Sequence, residues 1–424
     1  MEVVPGRTAS YEADPSEVHR VLLLYSGGLD TSVMLKWIQE RYEAEVVALT
    51  VDLGQPGEDF DVVRGKALQL GAIECHVVDA REEFANSYVL KAIKANATYG
   101  AGYPLFTALG RPLIAKLAVE QARQSACDTI AHGCTGKGND QVRIEATIAT
   151  LAPDLKVIAP VRSWRMGRDE EVAYAREHGI PVKGGTESAP YSIDDNLWGR
   201  SSEGRWIEEL AHAPEDDVFN LVTRPEEAPD EAEVVTVSFE TGVPVAVNGE
   251  RLELVPLLER VASIGARHGV GIVDQIEDRI VGLKVRDIYE VPAAAIILLA
   301  HQELEKLVGT IHQNQLKPLL DQRWAYLVYA GLWWEPLRED LDAYMDAANS
   351  QVTGTIGIKL YKGSARVVTR ESPSAVYDAQ LATFAESGGL FSQAASPGFV
   401  ELFSLQSRMA WRVRHGGVDG PGQR

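Results

Sequence analysis

The chain has 424 residues, enough for two domains and a sizeable core. Its 41 Lys and Arg residues against 61 Asp and Glu give a net charge of −20, which repels polyanions and argues against a nucleic-acid partner. The longest apolar run, residues 293–300, is too short to span a bilayer, so no membrane partner is expected. Three cysteines without a CxxC pair suit the reduced thiols of a cytoplasmic protein. Residues 1–18 lack the layout of a secretory signal and are predicted to be a disordered extension.

Short aliphatic runs alternate with helical patterns through the first half of the chain. The predicted strands are residues 21–25, 45–51, 73–78, 129–131 and 156–159. One helix is predicted to begin at Arg111-Pro112, because proline suits the first turn of a helix. This alternation predicts an α/β domain with a parallel sheet over residues 19–182.

The pattern changes near residue 183, where a second domain of α+β type is predicted to begin and to extend to residue 373. Its predicted strands are residues 234–239, 243–247 and 251–254, and Asn248-Gly249 is a two-residue turn signal. Its predicted helices cover residues 256–268, 293–308 and 318–332. The tail, residues 374–424, carries an apolar stretch at 410–413, which is typical of an oligomerisation segment.

A glycine-rich loop follows the first predicted strand, with the sequence Ser26-Gly27-Gly28-Leu29-Asp30-Thr31-Ser32. Adjacent glycines let the backbone approach an anion, while hydroxyls and the unpaired N–H groups of a helix start add donors. Strand, loop and helix start together predict a pyrophosphate cradle. The chain has no GxxxxGK[ST] segment, which excludes the phosphate loop of ordinary nucleoside triphosphatases. A turn that only caps a helix is the structural alternative.

The loop resembles the SGGxDS signature of the ATP pyrophosphatases, which cleave ATP between its α- and β-phosphates. A second segment, residues 133–145 (GCTGKGNDQVRIE), resembles the signature of the argininosuccinate synthase family, and the resemblance extends from about residue 21 to at least residue 290. That family joins citrulline to aspartate through a citrullyl-adenylate, releasing AMP and pyrophosphate, in arginine biosynthesis and the urea cycle. The resemblance implies that residues 19–182 are a nucleotide-binding domain of the ATP pyrophosphatase type and residues 183–373 a synthetase domain. It also implies ATP as co-substrate, Mg²⁺ and a cytoplasmic homotetramer.

The resemblance also assigns residues to each ligand. The ATP-binding residues would be Leu24, Tyr25, Ser26, Gly27, Gly28, Leu29, Asp30, Thr31, Ser32, Val51 and Gly133. The aspartate-binding residues would be Thr135, Asn139 and Asp140. The citrulline-binding residues would be Tyr103, Asn139, Arg143, Ser192, Ser201, Glu277 and Tyr289. The catalytic residues would be Asp30, Asp140 and Arg143.

These residue types suit their implied ligands. The Asp140 carboxylate can accept from the ammonium of aspartate, and the Arg143 guanidinium can pair with the carboxylate of citrulline. Glu277 can pair with the ammonium of citrulline. Asp30 beside the cradle favours a Mg²⁺ bridging phosphate oxygens, without a metal cage made by the protein alone. Taken alone, Asp30 would be an acidic residue favoured in a first helical turn, and Asp140 an ordinary helix cap.

The chain departs from the family pattern at three positions. Ala108, beside Thr107, stands where the family often has a citrulline-binding serine, Val285 replaces a serine and Ile272 replaces an arginine. These changes leave the ATP signature intact and concern the amino-acid pocket. No residue is identified as the general base. His132 is a candidate only because histidine side chains in general titrate near neutrality, and a histidine at a strand end is more often structural.

Three alternatives compete with an argininosuccinate-forming ligase. A paralogue would use the same adenylation with a different ureido acceptor or amine donor. An amidotransferase-coupled synthetase would need an ammonia source, and the chain has no glutaminase-like cysteine at its start. A catalytically silent nucleotide-binding protein would be expected to have lost loop residues, yet residues 26–32 and 135–143 are complete.

Overall fold

A computed structural model describes residues 9–100, 102–164, 166–181, 191–382 and 392–416. In these ranges the first half forms a five-stranded parallel sheet of order β3-β2-β1-β4-β5. Its strands are β1 Arg20–Leu24, β2 Glu45–Asp52, β3 Glu74–Asp79, β4 Thr129–Ala131 and β5 Lys156–Ile158. All five predicted strands are confirmed to within a residue at each end. The chain crosses from one side of β1 to the other at β4, which creates a crevice at the carboxyl ends of these two strands.

Helices cover both faces of this sheet. They are α1 Leu29–Tyr42, α2 Phe60–Gln69, α3 Arg81–Glu83, α4 Leu90–Lys94, α5 Phe106–Gln124, α6 Asp140–Leu151, α7 Pro160–Trp164 and α8 Arg168–Glu177, and a π-helical segment, Phe84–Val89, joins α3 to α4. Successive strand residues point to opposite faces, so Leu22 joins one buried apolar cluster while Val21 and Leu23 join the other. A strand buried on both sides explains the nearly continuous aliphatic runs in the sequence.

Two antiparallel sheets follow. The strands are β6 Ser192–Asn196, β7 Gly199–Glu203, β8 Glu233–Glu240, β9 Val243–Val247, β10 Glu250–Arg251, β11 Ile272–Asp278, β12 Lys284–Glu290, β13 Gly354–Tyr361 and β14 Ser364–Glu371. The sheet orders are β11-β12-β7-β6 and β10-β9-β8-β13-β14. The accompanying helices are α9 Leu254–Arg267, α10 Pro292–Val308, α11 Ile311–Tyr329 and α12 Pro336–Asn349.

The chain separates into two compact units, residues 1–374 and 375–424. The described part of the second unit contains α13 Ala379–Ala382, α14 Ser396–Phe403 and α15 Leu405–Arg414. The domain boundary predicted at 182/183 lies at residues outside those described. No helix among the described residues has both the length and the hydrophobicity that crossing a membrane would require.

Two predicted helix starts are wrong in the same way. The helix expected from Arg111-Pro112 begins at Phe106, and the helix expected from Pro318 begins at Ile311, so each proline lies in the helix interior. A proline at the seventh or eighth position costs one backbone hydrogen bond. The burial of Phe106 and Leu109 favours the earlier start of α5, and a capping box at Thr310 favours that of α11.

The prediction of a disordered extension is wrong for residues 9–18; residues 1–8 lie outside the described ranges. The backbone of Tyr11 accepts from Val157 N at 2.9 Å, and Ala13 N donates to Val157 O at 3.1 Å. Residues 11–13 therefore extend the sheet beside β5, and Val18 is buried. The polar composition of residues 9–18 does not indicate this packing, because only a few of these residues reach the core.

Candidate active site

The glycine-rich loop connects β1 to α1 at the crevice. Gly27 has φ +77°, a left-handed conformation that glycine adopts without strain, and its carbonyl accepts from Lys66 Nζ at 2.7 Å. Ser32 is buried behind the loop, where its hydroxyl donates to Gly28 O at 2.6 Å. Ser26 and Thr31 keep their hydroxyls on the outer side, 3.2 Å apart. The loop thus turns hydroxyls and the backbone N–H groups of a helix start outward, as an anion cradle requires.

A cleft of about 840 Å³ lies in front of this loop. Most of the residues assigned to ATP line it, and Ser192 reaches it from β6; those residues are Leu24, Tyr25, Ser26, Gly28, Leu29, Asp30, Thr31, Val51 and Gly133. The loops after β1 and β4 therefore open into one cavity, as expected from their places in the sheet. The volume is suited to a ligand of nucleotide size.

The second signature loop leads into α6, whose first turn carries a chain of charges. Asp140 accepts from Arg111 Nε at 2.7 Å and from Arg143 Nη1 at 2.9 Å. Arg111 also donates to Asp194 at 2.7 Å, linking α5 to β6. Burial opposes ionisation of Asp140, but the two guanidinium groups outweigh it and lower its pKa to about 2. Asp140 is consequently ionised at any physiological pH, and its carboxylate bonds to arginines rather than capping the helix.

Five residues assigned to citrulline gather around α6, β11 and β12. Asn139 and Arg143 are both buried at the start of α6. The ring of Tyr103 stacks on that of Tyr289, with centroids 4.6 Å apart, and Tyr289 donates to Glu277 at 2.6 Å. Because these residues come from distant parts of the sequence, tertiary packing alone brings them together.

Tyr329 at the end of α11 lies at the centre of this cluster. Its hydroxyl donates to Glu277 Oε1 at 2.6 Å and accepts from Asn139 Nδ2 at 2.8 Å, while its carbonyl accepts from Arg143 Nε at 3.0 Å. Gly331 allows this approach, since a Cβ there would lie 2.9 Å from Arg143 Cα. Tyr329 and Arg111 are not predicted site residues, because neither falls in a signature segment assigned to a ligand.

One buried donor and one buried acceptor in this region, Arg143 Nη2 and Asp287 Oδ1, make no hydrogen bond among the described residues, although Asp287 Oδ1 lies 3.7 Å from Arg279 Nη2. An unpaired donor on Arg143 is consistent with a carboxylate ligand. Burial and the negative charges of Glu203 and Glu277 raise the pKa of Asp287 to about 7, although Arg279 opposes the shift.

His132 is fully buried at the end of β4. Its Nδ1 accepts from Cys134 N at 3.2 Å and its Nε2 lies 3.0 Å from Glu145 Oε1. Both ring nitrogens are therefore engaged, and the accepting Nδ1 requires the proton to be on Nε2. This geometry gives His132 a structural part in holding the Gly133–Cys134 turn rather than that of an exposed base.

Two further assigned residues, Thr135 and Ser201, are not among those that line the cleft. Thr135 is exposed on the loop before α6, and Ser201 on β7 pairs in register with Tyr289 and with Asp194. Ala108 is fully buried on α5, whereas the neighbouring Thr107 lines the cleft and its hydroxyl bonds to that of Tyr103. A hydroxyl is thus present beside position 108 even though the serine is absent.

A parallel sheet with a phosphate-type cradle and a second polar loop at one crevice defines a nucleotide-binding ligase of the ATP pyrophosphatase type. Residues 20–181 match the family model for the arginosuccinate synthase N-terminal HUP domain, and residues 191–410 match that for the arginosuccinate synthase C-terminal domain. The chain belongs to the argininosuccinate synthase family.

Three relatives show the extent of the similarity. Argininosuccinate synthase of Rubrobacter xylanophilus is 54% identical over 389 residues, covering 92% of this chain and 94% of the relative. The enzymes of Symbiobacterium thermophilum and Pyrococcus furiosus are 50% and 49% identical, covering 92% and 94% of this chain and 97% and 95% of their own. These matches support the argininosuccinate synthase interpretation over the paralogue alternative.

Proposed function

We propose that the chain catalyses the ATP-dependent joining of citrulline and aspartate to give argininosuccinate. The ureido oxygen of citrulline attacks the α-phosphate of ATP, the bond to the β-phosphate breaks and pyrophosphate leaves. The aspartate amine then attacks the activated carbon of the citrullyl-adenylate, and AMP departs with the former ureido oxygen. The observation that carries the proposal is the opening of both signature loops into one nucleotide-sized cleft beside the Asp140 and Arg143 cluster.

The assignment of ATP rests on the cradle. Ser26, Gly28 and Thr31 would receive the phosphates, and Val51 and Gly133 the rest of the nucleotide. Asp30 is exposed in the first turn of α1 and lines the cleft. A single carboxylate fits Mg²⁺, which keeps several waters and takes phosphate oxygens as its other ligands. When bound, Mg²⁺ would neutralise charge on the phosphates; the chain itself supplies the donors that orient them.

The two amino acids are assigned to the region around α6. Thr135 and Asn139 would bind the carboxylates of aspartate, with Asp140 directing its amine. Because Asp140 already accepts from two arginines, its part would be to hold Arg143 and the amine in fixed positions and not to take a proton. Citrulline would lie against Arg143 and Glu277, together with Tyr103, Asn139, Ser192, Ser201 and Tyr289.

The three departures from the family pattern leave the ion pairs of Asp140 and the hydrogen bonds of Glu277 in place. Thr107 would replace the hydroxyl that Ala108 lacks. Val285 pairs in register with Glu277 across the β11–β12 ladder, and Ile272 begins β11. We therefore retain citrulline as the acceptor. We also propose that the enzyme works in the cytoplasm as a homotetramer; its cysteines at 75, 127 and 134 are free thiols.

Isotope transfer tests this mechanism. With citrulline labelled by ¹⁸O at the ureido oxygen, mass spectrometry should find the label in AMP and none in pyrophosphate, together with argininosuccinate as the product. Unlabelled AMP would contradict adenylation of citrulline. An absence of argininosuccinate, with turnover of another amine, would instead favour a paralogue with a different donor.

A further inference from the structure

Residues 9–13, which we call the N-terminal arm, precede both segments that match the family models. The arm runs parallel to β5, the edge strand of the sheet, with Glu12 opposite Val157. Lys156 Nζ adds a bond to Ser10 O at 3.1 Å. An edge strand has backbone groups without a partner strand, and the arm forms hydrogen bonds with both the N–H and the carbonyl of Val157.

The side chains of the arm reach the back of the signature helix α6. Glu12 lies 3.4 Å from Arg162 Nη2, and Arg162 Nη1 donates to Gln141 at 2.9 Å and to Glu145 at 2.7 Å. The Arg162 side chain also passes beneath the signature loop, since a Cβ on Gly136 would lie 3.8 Å from Arg162 Cδ. Arg162 thus joins the arm to both the loop and the first two turns of α6.

Tyr11 makes the second connection. Its ring packs against the larger apolar cluster. Burial and a hydrogen bond to Glu145 raise the pKa of its hydroxyl to about 12. Glu145 is the same residue that contacts His132 Nε2, and His132 in turn accepts from Cys134 N. A continuous chain of polar contacts therefore runs from the arm to the turn after β4.

We propose that the N-terminal arm positions the signature loop and the start of α6, with Tyr11 and Glu12 acting through Glu145 and Arg162. Neither of the two positioning residues lines the cleft. Their effect would fall on the loop that carries Thr135, Asn139 and Asp140, and not on the cradle after β1. This inference rests on the proposed function for its kinetic consequence, but its structural consequence does not.

Two hydroxyl-deleting variants test the proposal. Tyr11→Phe removes the bond to Glu145, and Tyr174→Phe is the matched control because Tyr174 also donates to a glutamate, Glu40, at 2.8 Å and lies outside the cleft. Tyr11→Phe should raise the KM for aspartate about five- to tenfold while the KM for ATP stays within about twofold. Glu12→Gln should act in the same direction, and the control should change neither constant.

Hydrogen exchange separates this idea from the proposed function. In Tyr11→Phe, exchange of peptides spanning residues 133–145 should speed up while peptides from β1 and α1 keep their protection, whether or not argininosuccinate is made. Equal changes in Tyr11→Phe and Tyr174→Phe, or unchanged exchange with an unchanged KM for aspartate, would overturn the proposal. A uniform loss of protection in every peptide would mean that the arm stabilises the whole fold, and this result would also overturn the proposal.

Discussion

At the residue scale, the site depends on side chains that hold one another in place by hydrogen bonds. Asp140 accepts from two arginines, and both oxygens of Glu277 accept from tyrosine hydroxyls. Such networks fix the orientation of their side chains, because moving one side chain would leave its buried partner without a hydrogen bond. Preorganisation of this kind suits a reaction that must hold three polar ligands at once.

The hydroxyl of Tyr329 is expected to orient Glu277 and Asn139 for citrulline. Tyr329→Phe leaves a buried carboxylate oxygen and an amide N–H without their partner, so the KM for citrulline should rise about tenfold while that for ATP stays within about twofold. Steady-state kinetics with each substrate varied would measure this. Tyr99→Phe is the control, since Tyr99 stacks on Tyr329 and shares the acceptor Asp278 O with it, but its hydroxyl is not the one that bonds Glu277 and Asn139. A lower KM for citrulline in Tyr329→Phe would mean that the hydroxyl competes with the substrate.

Asp287 should make the stability of the protein depend on pH. Its pKa is about 7 in the folded protein, above its value in the unfolded chain, so its stabilising contribution is present below about pH 4 and is lost as pH rises through 7. Asp287→Asn keeps the shape without the titration. The free energy of unfolding, measured with denaturant at pH 5 and pH 8, should rise in the variant relative to the wild type at the higher pH, by up to a few kcal/mol. An equal pH dependence in both proteins would contradict the raised pKa.

At the element scale, the strands of the parallel sheet were predictable and two helix starts were not. Strands buried on both faces leave continuous aliphatic runs that few other structures produce. Proline gave a misleading start signal at 112 and 318, because burial and capping of earlier residues outweigh one lost hydrogen bond. The Thr310-x-x-Gln313 capping box was present in the sequence and was the better signal.

That capping box can be tested separately from catalysis. Thr310→Ala should lower the free energy of unfolding by about 1 kcal/mol, because the N–H of Gln313 loses its acceptor, while Thr310→Ser should change it little. Denaturant unfolding at one protein concentration measures both. The kinetic constants should be unchanged, since Tyr329 lies at the opposite end of α11. A stability loss shared by the serine variant would point to packing of the threonine methyl group instead.

The candidate site was predictable where its residues fall in contiguous signatures or in segments that resemble the family. The cradle and the loop before α6 are local in sequence, and their meeting follows from the topology of a parallel sheet. Arg111 and Tyr329 carry no periodicity or motif that marks them, and their contacts exist only once α5, α6 and α11 have packed. The position of residues 9–13 beside β5 likewise depends on which strand lies at the edge of the folded sheet, and the sequence alone does not indicate this.

At the scale of the whole molecule, a net charge of −20 coexists with anionic ligands. The protein places Arg111 and Arg143 at the junction of its loops and pairs them with carboxylates, so the local cations are fixed in position without making the surface basic. Long-range repulsion of polyanions and short-range binding of small anions are therefore compatible.

The C-terminal unit carries apolar side chains that a single chain leaves exposed. Phe403 and Val413 are 79% and 81% exposed, and Phe399 stacks on Phe403 with centroids 5.2 Å apart. Exposed apolar surface of this kind usually marks an interface, so removal of residues 392–424 should shift the mass measured by light scattering from that of the proposed tetramer toward smaller species. Phe403→Glu should shift it in the same direction, because a charge would be buried on association.

Glu401→Gln on the same helix is the control and should keep the full mass, since it adds no buried charge. The truncated chain should retain the unfolding transition of residues 1–374, because those residues form their own compact unit. Concentration-dependent unfolding in the intact protein, and its absence in the truncated one, would give the same conclusion by a second measurement. A mass that stays the same in both Phe403→Glu and the truncation would remove the C-terminal unit from the subunit interface.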